Sequence, residues 1–194
     1  MCNSKVTIII PVYNGADTIS RTIDSLIAQT YGDWIALVIN DGSTDGTNDI
    51  LMQYKNRYPS KIKVVCQKNI GQAETRNHAV KMATGKYVMF VDADDYLDPD
   101  YVGTYVKEAE KGDYDCVIGG FRREDNKGNI IKKFVPSSRW LMYSHMVPWA
   151  RIFKRQFLLD NDIEFLNISI GEDSYFNFKA VSYTHLRAHE TRSN

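Results

Sequence analysis

Near the start of the chain, Val6-Thr7-Ile8-Ile9-Ile10-Pro11-Val12 forms an almost unbroken apolar run. A strand with one wet face would alternate polar and apolar residues. A continuous run instead suits a strand covered on both faces, as in a parallel sheet layered by helices. The theme repeats: residues 35–39, 62–66 and 86–91 read as further strands. Between them apolar residues recur at helical spacing. Ile19, Ile23, Leu26 and Ile27 form one such set, with Asp17 as candidate N-cap. Ile50, Leu51 and Tyr54 form a second, within residues 47–58. A third runs through Ala73, Arg76, Ala79, Val80 and Ala83, with Gly85 as its C′ residue. Val102, Tyr105, Val106 and Ala109 mark a helix closed by Gly112, followed by a strand at residues 116–121. Asn126-Lys127-Gly128-Asn129 reads as the turn of a hairpin returning through residues 130–135. This βαβαβαβ order predicts an α/β fold: a mostly parallel sheet with helices on both faces and a small antiparallel hairpin.

The chain has 194 residues, 43% of them hydrophobic, enough for one domain with a substantial core. Lys+Arg and Asp+Glu number 24 each, and the zero net charge gives no support for a nucleic-acid partner. Cys66 and Cys116 lie in apolar runs far from each other and from Cys2, so buried free thiols are expected rather than disulfides. No apolar run approaches the roughly 18 residues that span a bilayer, and the first residues lack a signal-peptide pattern. The sequence reads as soluble and intracellular.

The chemistry concentrates at Asp92-Ala93-Asp94-Asp95, directly after the strand at residues 86–91. Carboxylates this close repel unless a cation lies between them, and hard divalent ions prefer carboxylate oxygen. The alternative is a solvated acidic turn in which Asp95 or Asp98 caps a helix starting near Pro99. In parallel sheets ligands bind beyond the carboxyl ends of the strands. That rule puts Pro11-Val12-Tyr13-Asn14, Asp41-Gly42-Ser43 and Asp92-Ala93-Asp94 along one edge and favours the metal. The first strand is not followed by Gly-x-Gly-x-x-Gly, which counts against a nucleotidyltransferase or another Rossmann-type nucleotide enzyme. A catalytically silent binding module or an interaction domain is the other alternative.

Several motifs occur in order: Ile10-Pro11-Val12-Tyr13-Asn14-Gly15, Asn40-Asp41-Gly42-Ser43-Thr44-Asp45, Asn69-x-Gly71-x4-Arg76-Asn77, Val91-Asp92-Ala93-Asp94-Asp95, and Gly171-Glu172-Asp173-x-x-Phe176. With the segment from Trp149 to Lys154 they resemble family 2 glycosyltransferases, the inverting GT-A group. The resemblance covers residues 6–180 and implies a GT-A (Rossmann-like) fold. It implies a metal-dependent hexosyltransferase that moves a sugar from a nucleotide-diphosphate donor, a UDP-sugar, to a glycan or lipid-linked glycan acceptor in cell-surface polysaccharide biosynthesis. By the same resemblance Asp41 reads the uracil N–H, and Pro11, Tyr13, Asn14, Gly71 and Ala93 wall the nucleotide pocket. Asp94 is the direct ligand of Mn²⁺ or Mg²⁺, with Asp92 on the ribose or beside the metal in the Asp-x-Asp motif. Asp173 is the general base.

Each assignment has a structural counterpart. Asp41 could close an Asx-type turn with Ser43 or Thr44. Arg76, costly to bury unpaired, could pair with Asp41 or Asp92, or reach the pyrophosphate. Glu172 and Asp173 could be favourable charges at a helix N-terminus, with Phe176 and Phe178 as its apolar anchors. At the Trp149 segment Ala150 stands where the family customarily has Asn, and Arg151 where it has Lys.

Residues 181–190 back-translate as GTC TCT TAT ACA CAT CTC CGA GCC CAC GAG, which resembles a transposon-end sequencing adapter read in frame. Residues 181–194 are therefore expected not to be native, and His185 and His189 not to be a zinc pair. Residues 1–180 are expected to be a catalytic domain incomplete at its C-terminus that binds UDP with Mn²⁺ weakly and transfers little sugar. A cytoplasmic location is expected, the inner face of the cell membrane being the alternative, with any membrane association carried beyond Ala180.

Overall fold

The computed structural model describes residues 4–125, 127–135, 147–168 and 171–183. The strands are β1 (Val6–Val12), β2 (Trp34–Asp41), β3 (Ile62–Gln67), β4 (Tyr87–Phe90), β5 (Cys116–Ile118), β6 (Phe121–Glu124), β7 (Ile130–Phe134) and β8 (Arg151–Lys154). The helices are α1 (Ile19–Ile27), α2 (Thr47–Arg57), α3 (Gln72–Met82), α4 (Tyr101–Lys111), α5 (Arg155–Asp160) and α6 (Glu172–Tyr183). Six strands form one sheet in the order β3-β2-β1-β4-β8-β5, and β6 and β7 form a separate antiparallel pair. β3, β2, β1 and β4 run parallel; β8 enters antiparallel between β4 and β5.

β1 is buried at every position, as its apolar run requires. Its alternate residues feed two cores. Val6, Ile8, Ile10 and Val12 pack with Ile19, Ile23 and Leu26 of α1, Leu51 of α2 and Val102 and Val106 of α4. Ile9 packs on the other face with Ala79 and Val80 of α3, Phe157 of α5 and Phe176 and Ala180 of α6. The expected layered α/β architecture is present, helices on both faces included.

Local corrections have physical causes. The N-cap of α1 is Thr18, not Asp17, and its hydroxyl donates back to Gly15 O (3.4 Å). Neither Asp95 nor Asp98 caps α4: its N-cap is Asp100, and the Val102 N–H is met by Gln29 Oε1 from beyond the end of α1 (3.0 Å). Gly85 does not serve as a C′ residue. α3 ends at Met82 with Ala83 as its C-cap, and a Cβ on Gly85 would lie 2.7 Å from Thr7 N, so the glycine is there for close approach to β1. Residues 116–121 split at Gly119-Gly120 into β5 and β6, which join different sheets. Cys116 is buried as expected, but Cys66 is exposed because β3 is the sheet edge. Phe176 is buried, while Phe178 is 56% exposed and so is not the apolar anchor expected of it.

The hairpin turn is closed by Asp125, which accepts from the Lys127 and Asn129 N–H groups (2.8 and 2.9 Å). Asn126, Cys2, His185 and His189 lie outside the described residues. Residues 181–183 extend α6, with Val181 buried in its last turn. Among the described residues no helix is long and apolar enough to cross a membrane.

Candidate active site

The strand order turns about β1, with β2 on one side and β4 on the other, so their carboxyl ends open a crevice. A cavity of about 510 Å³ lies there, lined by Pro11, Tyr13, Asn14, Asp41, Gly71, Asp92, Ala93 and Asp94. Every residue expected to contact the donor lines it except Arg76, which sits behind Asp92.

Two loops form the floor. Asn14 adopts a left-handed backbone (φ 51°), and its Oδ1 accepts from the Thr44 N–H (2.8 Å) while its own N–H donates to Ser43 Oγ (2.9 Å). Asp45 accepts from the N–H groups of Thr47 (2.9 Å) and Ala16 (3.1 Å). The Asp-Gly-Ser-Thr-Asp-Gly string thus ties the β1 and β2 ends together. Asn40, not Asp41, bonds the Ser43 backbone, accepting from its N–H across three residues (3.0 Å).

Asp41 is 3% exposed, and its carboxylate faces β3 and the following loop. Oδ1 accepts from Gln67 Nε2 (2.8 Å) and the Ile70 N–H (3.0 Å), and Oδ2 from the Gly71 N–H (3.0 Å). Gly71 stands at φ 89°, a conformation glycine enters freely, and N-caps α3. A carboxylate has about four acceptor directions, so these three donors leave about one unused. Asp41 does not meet Arg76.

α1 holds the acidic turn from below: Thr22 Oγ1 donates to Ala93 O (2.9 Å) and Arg21 Nη2 to Asp94 O (2.6 Å). Within the turn Asp95 is half-buried, and burial together with the charges of Asp92 and Asp94 pushes its carboxyl up to about 6. Asp94 is exposed on the cavity wall. Among the described residues no group of three or more His, Cys, Asp or Glu side chains is arranged to hold a metal ion. Asp92 and Asp94 are hard oxygen donors, a donor type that would suit a divalent cation.

Arg76, 1% exposed, joins the two halves of the site. Its Nη2 donates to Asp92 Oδ1 (2.7 Å), and its Nη1 to Asp173 Oδ1 (2.8 Å) and more weakly to Glu172 Oε1 (3.4 Å). Of the partners foreseen for it, Asp92 is present; the other two carboxylates come from the first turn of α6. Burial raises the Asp173 carboxyl, with Arg76 opposing and Asp92 adding to the rise, and burial likewise raises Glu172. Sequence reading also missed Gln72, whose Nε2 approaches Asp92 Oδ1 (3.4 Å), and Gln67. Nothing in their type or spacing marks them; only the fold brings them in.

In the Trp149 segment the Trp149 ring packs edge-on to Phe121 (4.7 Å). Ala150 stands at φ 57°, a region asparagine tolerates far better, which gives the customary Asn a backbone reason. Arg151 is buried in β8, its Nε donating to Val147 O (3.0 Å). A second cavity of about 540 Å³ adjoins Asp94 and Asp95, walled by Tyr96, Phe121, Arg122 and Trp149.

The model of glycosyl transferase family 2 matches residues 7–179. The chain is 33% identical to the poly(ribitol-phosphate) beta-glucosyltransferase of Bacillus spizizenii over 186 residues, 91% of this chain and 29% of that protein. It is 33% identical to the uncharacterized glycosyltransferase YibD of Escherichia coli over 189 residues, 86% of this chain and 54% of that one. Among solved structures it resembles S. aureus TarS 1–349 in complex with UDP: TM-score 0.81, 27% identity, 95% of this chain and 56% of that one. The chain thus spans about half or less of the length of these relatives. With its mostly parallel GT-A sheet and the matched span, the chain belongs to glycosyl transferase family 2.

Proposed function

We propose that this domain transfers a sugar, with inversion, from a UDP-sugar to a glycan or lipid-linked glycan acceptor in polysaccharide biosynthesis, and that it requires Mn²⁺ or Mg²⁺. The observation that carries the reading is the single guanidinium of Arg76 placed between Asp92 on the cavity wall and Asp173 at the start of α6. UDP bound in TarS and the polymer named for the Bacillus relative support donor and pathway.

In this reading the uracil N–H takes the remaining acceptor direction of Asp41, and Pro11 and Tyr13 flank the base. Asp94, with Asp92, would hold the cation. Bound there, it would neutralise charge on the departing diphosphate, worth several kcal/mol. Asp173 removes the proton from the acceptor hydroxyl as its oxygen attacks the anomeric carbon and the C–O bond to UDP breaks. Its raised carboxyl makes it a better base than an ordinary aspartate. The aromatic wall of the second cavity, beside Asp94, offers an apolar face to an acceptor sugar.

Asp173→Asn tests the assignment. UDP release from a UDP-sugar should fall about 10²–10⁴-fold, while Mn²⁺-dependent UDP binding stays within about threefold. Loss of binding with the fold intact would show that Asp173 is not the base.

A further inference from the structure

Arg76 and Asn77 are neighbours on α3, both buried, and both reach segments far along the chain. Asn77 makes a two-point pair with the backbone of Phe165: its Nδ2 donates to Phe165 O (2.9 Å) and its Oδ1 accepts the Phe165 N–H (2.8 Å). The Phe165 ring lies beneath the Arg76 guanidinium (5.1 Å) and stacks flat on the Phe176 ring (3.9 Å, 3° between planes). Phe176 follows Asp173 by three residues on α6, so ring and carboxylate share a helix face. Asp173 is therefore fixed twice, once through its carboxylate on Arg76 and once through the rings whose place Asn77 sets.

We infer that Arg76 and Asn77 form a latch that docks α6 and sets where the Asp173 carboxylate stands, an inference that rests on Asp173 being the base. Apolar packing of Phe176 and Ala180 already attaches α6 to the sheet. A buried guanidinium and carboxamide add desolvation that apolar residues of similar size would avoid. What they add in return is direction: each bond admits one placement of its partner. Among the described residues the side-chain hydrogen bonds of Asn77 go to Phe165, which is not on the cavity wall, so Asn77 is a positioning residue.

The test uses the full chain carrying Asn77→Ala or Arg76→Lys, read by amide hydrogen exchange, UDP affinity with Mn²⁺, and UDP release from UDP-GlcNAc. In Asn77→Ala, protection at Phe165 and in the first turns of α6 should drop. UDP affinity and donor KM should hold within about twofold while kcat falls about 10- to 100-fold. Arg76→Lys, a point charge that cannot span Asp92 and Asp173, should show a similar kcat loss. Unchanged protection or unchanged kcat in Asn77→Ala would overturn the latch, as would UDP affinity falling in step with kcat. If the wild-type chain neither binds UDP nor releases it from UDP-GlcNAc, the function reading falls. Exchange then decides the latch alone: lost protection upholds it and retained protection overturns it.

Discussion

In the proposed function Asp41 would serve fold and ligand together. Three donors from Gln67, Ile70 and Gly71 hold it, and they shape the loop that opens α3. Asp41→Asn turns one acceptor into a donor facing N–H groups; chemical denaturation should show a loss of about 1–3 kcal/mol, with weaker UDP binding. Asp95 titrates in the opposite sense to a salt-bridged acid. Its folded carboxyl, near 6, lies above the unfolded value of 3.8, so the folded state holds that proton more tightly. Its contribution is fully present below pH about 4 and is lost as pH rises toward 6. Relative to Asp95→Asn in chelating buffer, the wild type should lose about 1 kcal/mol of stability across that window, a discounted figure for a half-exposed group. A parallel pH dependence of the two proteins would refute this. Residue types and motif order located Asp41, Asp92, Asp94 and Asp173 in the sequence. The partners of Arg76 were only partly legible, because Glu172 and Asp173 lie 96 and 97 residues away and no periodicity links them.

At the scale of elements, α6 depends on Phe176, buried at 0% exposure among Phe90, Phe153 and Phe165. Phe176→Ala should cost about 3–5 kcal/mol in urea unfolding and free the first turn of α6. Unfolding within about 1 kcal/mol of wild type would mean the ring cluster does not hold the helix. The parallel strands were readable because continuous apolar runs have one explanation, burial on both faces. The helix caps were less so. Thr18 and Asp100 stand where Asp17 and Asp95 or Asp98 were expected, and the bonds to Gly15 and Gln29 at these helix starts are ones that sequence cannot place. β8 was invisible for the same reason: four residues entering antiparallel between β4 and β5 carry no signal of their own.

For the whole molecule, strand order matters more than any single motif. Placing β1 between β2 and β4 gathers Asp41, Asp92 and Asp94 around one cavity, and α6 folds back over α3 to bring Asp173 to Arg76. The Asp92 and Asp173 carboxylates, from distant parts of the sequence, meet on the one buried guanidinium of Arg76. The reading stands or falls with a cation-dependent donor site on that cavity. Isothermal titration of UDP into the chain, in Mn²⁺ and in EDTA, with Asp94→Ala alongside, addresses it directly. Wild type should bind UDP at least about tenfold more tightly with Mn²⁺, about 1.4 kcal/mol, and folded Asp94→Ala should bind equally in both buffers. Equal wild-type affinity in both buffers, or a Mn²⁺ enhancement that survives Asp94→Ala, would overturn it.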